Sequence, residues 1–299
     1  MIESPDVQAT LPYYRISINE AGVSGVKFPI KIERKGQIID LSATASVFVD
    51  LPEGRKGADF SREIESIYLV ISSHKLHSIE EVAFKIASLA LEKMPYSTIS
   101  RVYLSADYFK KGKNDAGMEI FVPYTIFSNS VVKSEGSLRL SIGVVVQGMS
   151  SCPCAMESTR ALMVSDFPDL EEALKRIPTV THNQRNRITF EIETPDGNLP
   201  EADDMIKICE DVLGGPLQSL LKRKDEAALV YNSHKNPKFV EDIVREVAVK
   251  GAEKFADFPL ETMIKVSSES DESIHPHNAK AYMSLSLREI KEQLDRTKS

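Results

Sequence analysis

Two cysteines separated by a single proline, Cys152 and Cys154 in SSCPCAMES, are the densest chemical signal in the chain. Proline disfavours helical backbone at the residue before it. Cys152 is therefore expected to be extended, with no helix running through the pair. Extended residues at i and i+2 share a side, which would aim both sulfurs at one site. The plain alternative is a pair of small buried hydrophobes. THNQRN sets His182 among hydrogen-bonding groups, followed by Arg185 and Arg187, whose guanidinium forks suit phosphate. ESIHPHNA gathers Glu272, His275 and His277 within six residues on a proline-broken loop. Thiolate, imidazole and carboxylate together are the donors that Zn²⁺ and Fe²⁺ sites favour. Two arrangements use them. Cys152, Cys154, His275 and His277 would close a structural Cys₂His₂ zinc site. One Cys, His182, one His of HPH and a carboxylate would leave a position open for water or substrate, as catalysis requires. The only other cysteine is Cys209, one short of a four-thiolate iron–sulfur cluster.

Basic residues cluster in two places. Lys56 and Arg62 end KGADFSR, and Lys222, Arg223 and Lys224 lie in LLKRKDE. Such runs are either solvated surface or a triphosphate clamp. His74, His77 and His234 read as surface residues.

The elements that must hold these groups follow from periodicity. Residues 1–20 form an irregular arm. Val26–Glu33 and Leu41–Val49 read as strands with a KGQ turn between them. The Pro- and Gly-rich LPEGRKGAD is loop. A short helix is expected from Ser61 and another over Ser78–Met94, the latter with Ser78 and Glu81 in a capping-box pattern. Residues 98–108, 117–128 and 137–147 are strand-like in composition. After a polar, partly helical insertion over Glu157–Thr179, the order recurs. A strand runs over Asn186–Thr194, helices over Glu201–Leu213 and Pro237–Ala256, and strands over Leu260–Ser267 and Ala279–Leu287. A short helix over Arg288–Arg296 closes the chain. Strands, two helices and strands, twice over, make an α+β chain with helices on one face of antiparallel sheets. The division expected is 1–135 and 136–299, the second part carrying most of the metal-site motifs.

Composition narrows the class. The 299 residues carry a formal net charge of −7, which argues against a general nucleic-acid binder but leaves room for a local basic pocket. Three cysteines do not make a secreted disulfide framework. The start of the chain lacks the basic and apolar regions of a leader, and no apolar run reaches membrane-spanning length. The expected compartment is the cytoplasm.

Seven motifs in order, DVQAT, LPEGRKGADFSR, GMSSCPC, THNQRN, LLKRKDE, NPKFVED and ESIHPHNA, resemble the type IB GTP cyclohydrolases over nearly the whole chain. The twenty-seven residues between Cys154 and His182, with PTVTHNQR, are similar to the archaeal branch that begins methanopterin synthesis. Asp59 departs from the resemblance, since bacterial members tend to carry His there. The resemblance implies the tunnelling fold (T-fold), with two ββααββ-type modules per chain. It also implies a homodimer or homotetramer with active sites at subunit interfaces. It assigns Cys152, His182, His275 and Glu226 to the metal and Glu241 to the purine. Arg185, Lys56, Arg62 and Glu272 fall to the rest of the substrate. The implied metal is Fe²⁺, with Zn²⁺ or Mn²⁺ as substitutes. The implied reaction hydrolyses GTP at C8 and releases formate. The archaeal product is 7,8-dihydroneopterin 2′,3′-cyclic phosphate, and the bacterial one is the triphosphate. A divalent metal suits this attack because it acidifies water near neutral pH. Proton delivery to the ring nitrogens falls to a histidine, to Cys154 or to a carboxylate off the metal. A carboxylate at Glu241 can accept two N–H bonds from the guanine edge. Competing readings are a deazaguanine nitrile reductase of the same fold and a non-catalytic structural-zinc protein.

Overall fold

The computed structural model describes residues 6–34, 36–72, 75–113 and 117–298. Lys35 of the expected KGQ turn and His74 lie outside them. In chain order the elements are β1 (Ile18–Arg34), β2 (Gln37–Leu51), α1 (Phe60–Ser72), α2 (Ile79–Lys93), β3 (Ile99–Lys113), β4 (Glu119–Lys133) and β5 (Leu138–Ser151). There follow α3 (Pro153–Asp166), a short 3₁₀ turn (Pro168–Leu170), α4 (Glu171–Leu174), β6 (Asn183–Thr194), α5 (Ala202–Val212), α6 (Arg223–Lys235) and α7 (Val240–Lys254). β7 (Met263–Asp271), β8 (Ala279–Ser286) and α8 (Leu287–Lys298) complete the chain. The chain is α+β, and its strands follow one another in the sheet in the order β1 to β8. No described helix is long and apolar enough to cross a membrane.

Two compact units divide the chain. In the first, β1 pairs antiparallel with β2 and β2 with β3, with Ile30 opposite Leu41 and Val47 opposite Val102. Alternation puts Leu41, Ala43, Ala45, Val47 and Val49 of β2 on the buried face. α2 covers that face with Val82, Ala83, Ile86, Ala87 and Ala90, an i, i+3, i+4 stripe. As expected, the Ser78 hydroxyl caps this helix by accepting the Glu81 N–H at 3.2 Å. In the second unit, α7 packs on β7 and β8 through Ile243, Val244, Val247 and Ala248. Gly251 permits this approach, because a Cβ there would stand 2.8 Å from the ring of Phe190 on β6. Each such fully buried large side chain contributes roughly 1.5–3 kcal/mol.

The strands run longer than their apolar cores, and β1 starts inside the segment expected to be an irregular arm. The polar α6 has no apolar stripe, since Ser233 is the one buried residue it shows. Its 3.6-residue period is therefore silent in the sequence.

The loop before α1 is knitted by charge. Asp59, nearly buried, accepts from Arg55 at 2.9 Å and stands 3.7 Å from Arg62. Arg55 also stacks 3.7 Å over the Tyr96 ring, and the Tyr96 hydroxyl accepts the Asp59 N–H at 3.1 Å. Asp59 is thus the organiser of its own loop, which accounts for a carboxylate at that position. One turn on, Glu63 is fully buried against β1 near Val23, where the register with β2 shifts. The Val23 N–H faces this carboxyl, and neither of its oxygens makes a hydrogen bond that meets full geometry among the described residues. Burial pushes this carboxyl up to about 8, and the nearby Asp59 charge adds to the effect. A raised folded-state pKa favours the protonated acid. Its contribution is complete below the ordinary value of 4.5 and is lost as pH rises to about 8. The melting temperature of the wild type should therefore fall relative to that of Glu63→Gln between those two pH values. Parallel melting curves over that range would contradict this account.

Candidate functional site

Three strands of the second unit change character along their buried face. On β5, Val144 and Val146 give way to Gly148, Ser150 and then Cys152. On β6, Ile192, Phe190 and Ile188 give way to Asn186, Gln184 and then His182. On β7, Ile264 and Val266 give way to Ser268, Ser270 and then Glu272. Each run ends in a residue that the motifs had singled out. Gly148 is needed where β5 meets α5, since a Cβ there would stand 2.6 Å from Leu213. The buried polar residues are only partly satisfied. The Ser268 hydroxyl donates to Asn186 Oδ1 at 2.9 Å, whereas Gln184 Oε1, Asn186 Nδ2 and Ser270 Oγ have no partner among the described residues.

The backbone joins the ends of these runs. The Cys152 N–H donates to the His182 carbonyl at 3.1 Å, and the Thr181 hydroxyl donates to the Cys152 carbonyl at 2.7 Å. The His182 Nδ1 lies 3.8 Å from Glu272 Oε2 and 3.5 Å from the Ser273 hydroxyl, and the His182 and Glu272 side chains are each 11% exposed. A carboxylate beside Nδ1 is the arrangement that orients an imidazole and leaves Nε2 for another partner.

The proline of CPC acts differently from the expectation. Pro153 opens α3 instead of barring a helix, because its missing N–H costs nothing in the first turn. Cys152 is the extended N-cap, and its sulfur accepts the Ala155 N–H at 3.4 Å. Cys154 sits on the first helical turn and is exposed, whereas Cys152 is half-buried. The two sulfurs therefore do not share the extended, same-side geometry, and a closed Cys₂His₂ site loses its basis. The GMSS run before them is the end of β5.

The remaining residues fall as follows. His275 and His277 lie on the exposed β7–β8 loop with their rings stacked, centroids 5.1 Å apart. Glu226 is exposed on α6, and Glu241 is exposed on the first turn of α7. Arg185 and Lys56 are exposed, and the Lys56 N–H is held by the carbonyls of Gln8 and Thr10. Arg62 donates to the Lys93 carbonyl at 2.7 Å at the end of α2, so it is already engaged. Among the described residues, no three His, Cys, Asp or Glu side chains stand close enough to hold a metal. Backbone pairing sets Cys152 beside His182, and Glu272 stands by the His182 ring, whereas His275 lies on the β7–β8 loop and Glu226 on α6. A cleft of about 670 Å³ runs between α6 and residues 178–181, lined by Thr181, Arg223, Glu226, Tyr231 and His234 among others.

Comparison with known proteins rests on this geometry. The sequence profile of the family described as type I GTP cyclohydrolase folE2 matches residues 4–281. The chain belongs to this GTP cyclohydrolase family. The protein called GTP cyclohydrolase MptA in Thermoplasma volcanium is 41% identical over 99% of this chain and 100% of its own. Its namesake in Thermoplasma acidophilum is 40% identical over 97% and 98%. That of Methanobrevibacter smithii is 36% identical over 97% and 98%. Among solved structures, the uricase from Arthrobacter globiformis superposes with a TM-score of 0.51 at 9% identity, covering 90% of this chain and 93% of that one. The cyclohydrolase thus shares the uricase fold.

Sequence reasoning missed Ser151, Thr181, Ser233 and His234 of this cyclohydrolase, which surround the Cys152–His182 bond. The available signal was adjacency: Ser151 and Thr181 each precede a motif residue. The three thiols of the enzyme should differ sharply. Cys154 is open, Cys152 is half-buried and hydrogen-bonded, and Cys209 is fully buried, its thiol pushed well above the ordinary range by burial. Native alkylation followed by peptide mass mapping should label Cys154 first, Cys152 more slowly, and Cys209 only after unfolding. Early labelling of Cys209 would contradict this packing.

Proposed function

We propose that this GTP cyclohydrolase opens the guanine imidazole ring of GTP at C8, releases formate, and yields 7,8-dihydroneopterin 2′,3′-cyclic phosphate with loss of pyrophosphate. The reading belongs to the type IB, methanopterin-pathway branch, and the likeness to proteins named MptA supports it. The observation that carries it is the hydrogen bond that sets Cys152 beside His182, with Glu272 behind the ring. The element order supports two tunnelling-fold modules, β1β2α1α2β3β4 and β5β6α5α7β7β8, with α3, α4 and α6 as additions to the second. The reading further takes the protein to act in the cytoplasm as a homodimer or homotetramer.

The donor types suit a divalent metal, Fe²⁺ first, with Zn²⁺ or Mn²⁺ as substitutes. Cys152, His182, His275 and Glu226 would hold it. When bound, the metal supplies Lewis acidity that makes water a nucleophile near neutral pH. Glu272 keeps His182 in one ring orientation. Cys154, outside the ligand set and open to solvent, would deliver a proton to a ring nitrogen of the opening purine. Glu241, exposed on the first turn of α7, would accept N–H bonds from the guanine N1 and N2 edge. Arg185 and Lys56 would meet the triphosphate.

Three measurements test this. Anaerobic protein incubated with GTP and Fe²⁺ should give the cyclic phosphate and formate by mass. Cys152→Ala should lose metal and turnover while its circular dichroism is unchanged, and turnover that survives in Cys152→Ala would sink the assignment. Glu241→Gln turns one acceptor into a donor facing donors, a mismatch that costs ~1–3 kcal/mol in a closed pocket. Turnover on GTP should therefore fall about tenfold or more at an unchanged melting temperature. A full rate with a lowered melting temperature would make Glu241 structural.

A further inference from the structure

α6 is held to its unit in an unusual way. Its single buried residue is Ser233, so no apolar stripe docks it. Its contacts at the C-terminal end are polar and fall on two residues, Ser151 and Thr181, which immediately precede Cys152 and His182. The Ser233 hydroxyl lies 3.1 Å from the Ser151 hydroxyl, and both are buried. The His234 ring stands between two carbonyls, Nδ1 2.8 Å from that of Val230 on its own helix and Nε2 3.4 Å from that of Thr181, and the Nε2–H tautomer donates to Thr181. The Ser151 carbonyl is taken at 3.1 Å by the N–H of Lys238, just beyond the helix. Lys238 is itself fixed, its Nζ 2.5 Å from Glu246 and 2.8 Å from the Val212 carbonyl.

The peptide groups that lead into Cys152 and into His182 are thus both gripped from the α6–α7 side. A peptide plane sets the direction in which the next side chain leaves the backbone. Glu226, Val230 and His234 occupy positions i, i+4 and i+8, one face of α6, and all three line the cleft.

We propose that Ser233 and His234 are positioning residues of the cyclohydrolase, a polar clamp that aligns Cys152 and His182 as metal donors. The inference rests on the metal reading given above. Neither residue is a ligand or touches the substrate. They act through Ser151 and Thr181.

The test uses the full-length protein and Co²⁺ alone, whose visible absorption reports thiolate ligation and coordination geometry. His234→Ala should weaken Co²⁺ binding on the order of tenfold, as loss of an outer-sphere partner does, and alter the visible bands. Its kcat should fall by a similar factor while the KM for GTP stays within about threefold, because alignment of the donors, not substrate binding, is disturbed. Ser233→Ala should shift the same readouts in the same direction. His234→Gln, which can still reach one carbonyl, should recover part of the affinity and of kcat. Wild-type cobalt spectrum and affinity in His234→Ala and Ser233→Ala, with only the melting temperature lowered, would reduce the clamp to a fold contact and overturn the proposal. Should His234→Ala fail to fold, Ser233→Ala and His234→Gln carry the same two outcomes. Cys152→Ala is the control. If it binds cobalt like the wild type, the metal reading fails and the clamp with it. If it loses cobalt while the clamp variants do not, the clamp alone fails.

Discussion

A backbone hydrogen bond from the Cys152 N–H to the His182 carbonyl joins two motifs that lie far apart in sequence, and the rest of the site is arranged around it. Its net worth is modest, about 1 kcal/mol for a typical intramolecular bond. Its value is positional. It closes the β5–β6 pairing at the point where α3 begins, so the thiol stands at a helix N-terminus and the imidazole at the head of a strand. Glu272 arrives from the end of β7, and the α6–α7 connection arrives over Ser151. Moving any one of these elements would require breaking that pairing or the contacts that flank it.

The same three strands separate stability from chemistry along their length. At one end, Ile192, Phe190, Ile264 and Val266 bury apolar area, Phe190 and Ile264 beside Gly251 of α7. At the other, Gln184, Asn186 and Ser270 carry polar atoms with no partner among the described residues, a cost of roughly 1–3 kcal/mol for each buried group. Such a face is tolerated because the apolar end offsets it. It also offers unpaired donors and acceptors behind His182 and Glu272, the places where a protein gives up stability for function. The first unit contains a related compromise in Glu63, a carboxyl kept largely neutral by burial beside the tightly bonded Asp59 loop.

Much of this was legible in the sequence. Alternating β2 and the stripe of α2 declared themselves because each buries one regular face, and the recurrence of strand and helix order announced the α+β class. His182 at a strand entrance and the proline-broken loop of His275 also stand where their neighbours indicated. What stayed hidden has physical causes. α6 exposes nearly all its residues, so no hydrophobic period marks it, and LLKRKDE read as a charge run. Pro153 carries two opposite meanings, helix breaker and first-turn residue, and only the packing of α3 chooses between them. His234 looked like a surface histidine because its partners are backbone carbonyls, which leave no trace in side-chain composition. Asp59 looked like a departure, although its partners Arg55 and Tyr96 were present all along.

The insertion between the two joined motifs leaves the sheet at Cys152 and returns at His182, points already tied by one hydrogen bond. It is cinched again just above, where the Thr179 hydroxyl donates to the Met156 carbonyl at 3.0 Å and the Thr159 hydroxyl donates to the Val180 carbonyl. A segment whose entrance and exit coincide imposes no displacement on its host, however long it grows. The entropic charge for lengthening it is small, ~0.6 kcal/mol for each doubling of a flexible loop. The part of the excursion beyond those contacts, residues 160–177, can therefore drift in length and composition while the thiol and imidazole at its neck stay in register. That freedom makes it a natural graft point, where foreign sequence could be spliced in without retuning the chemistry beneath.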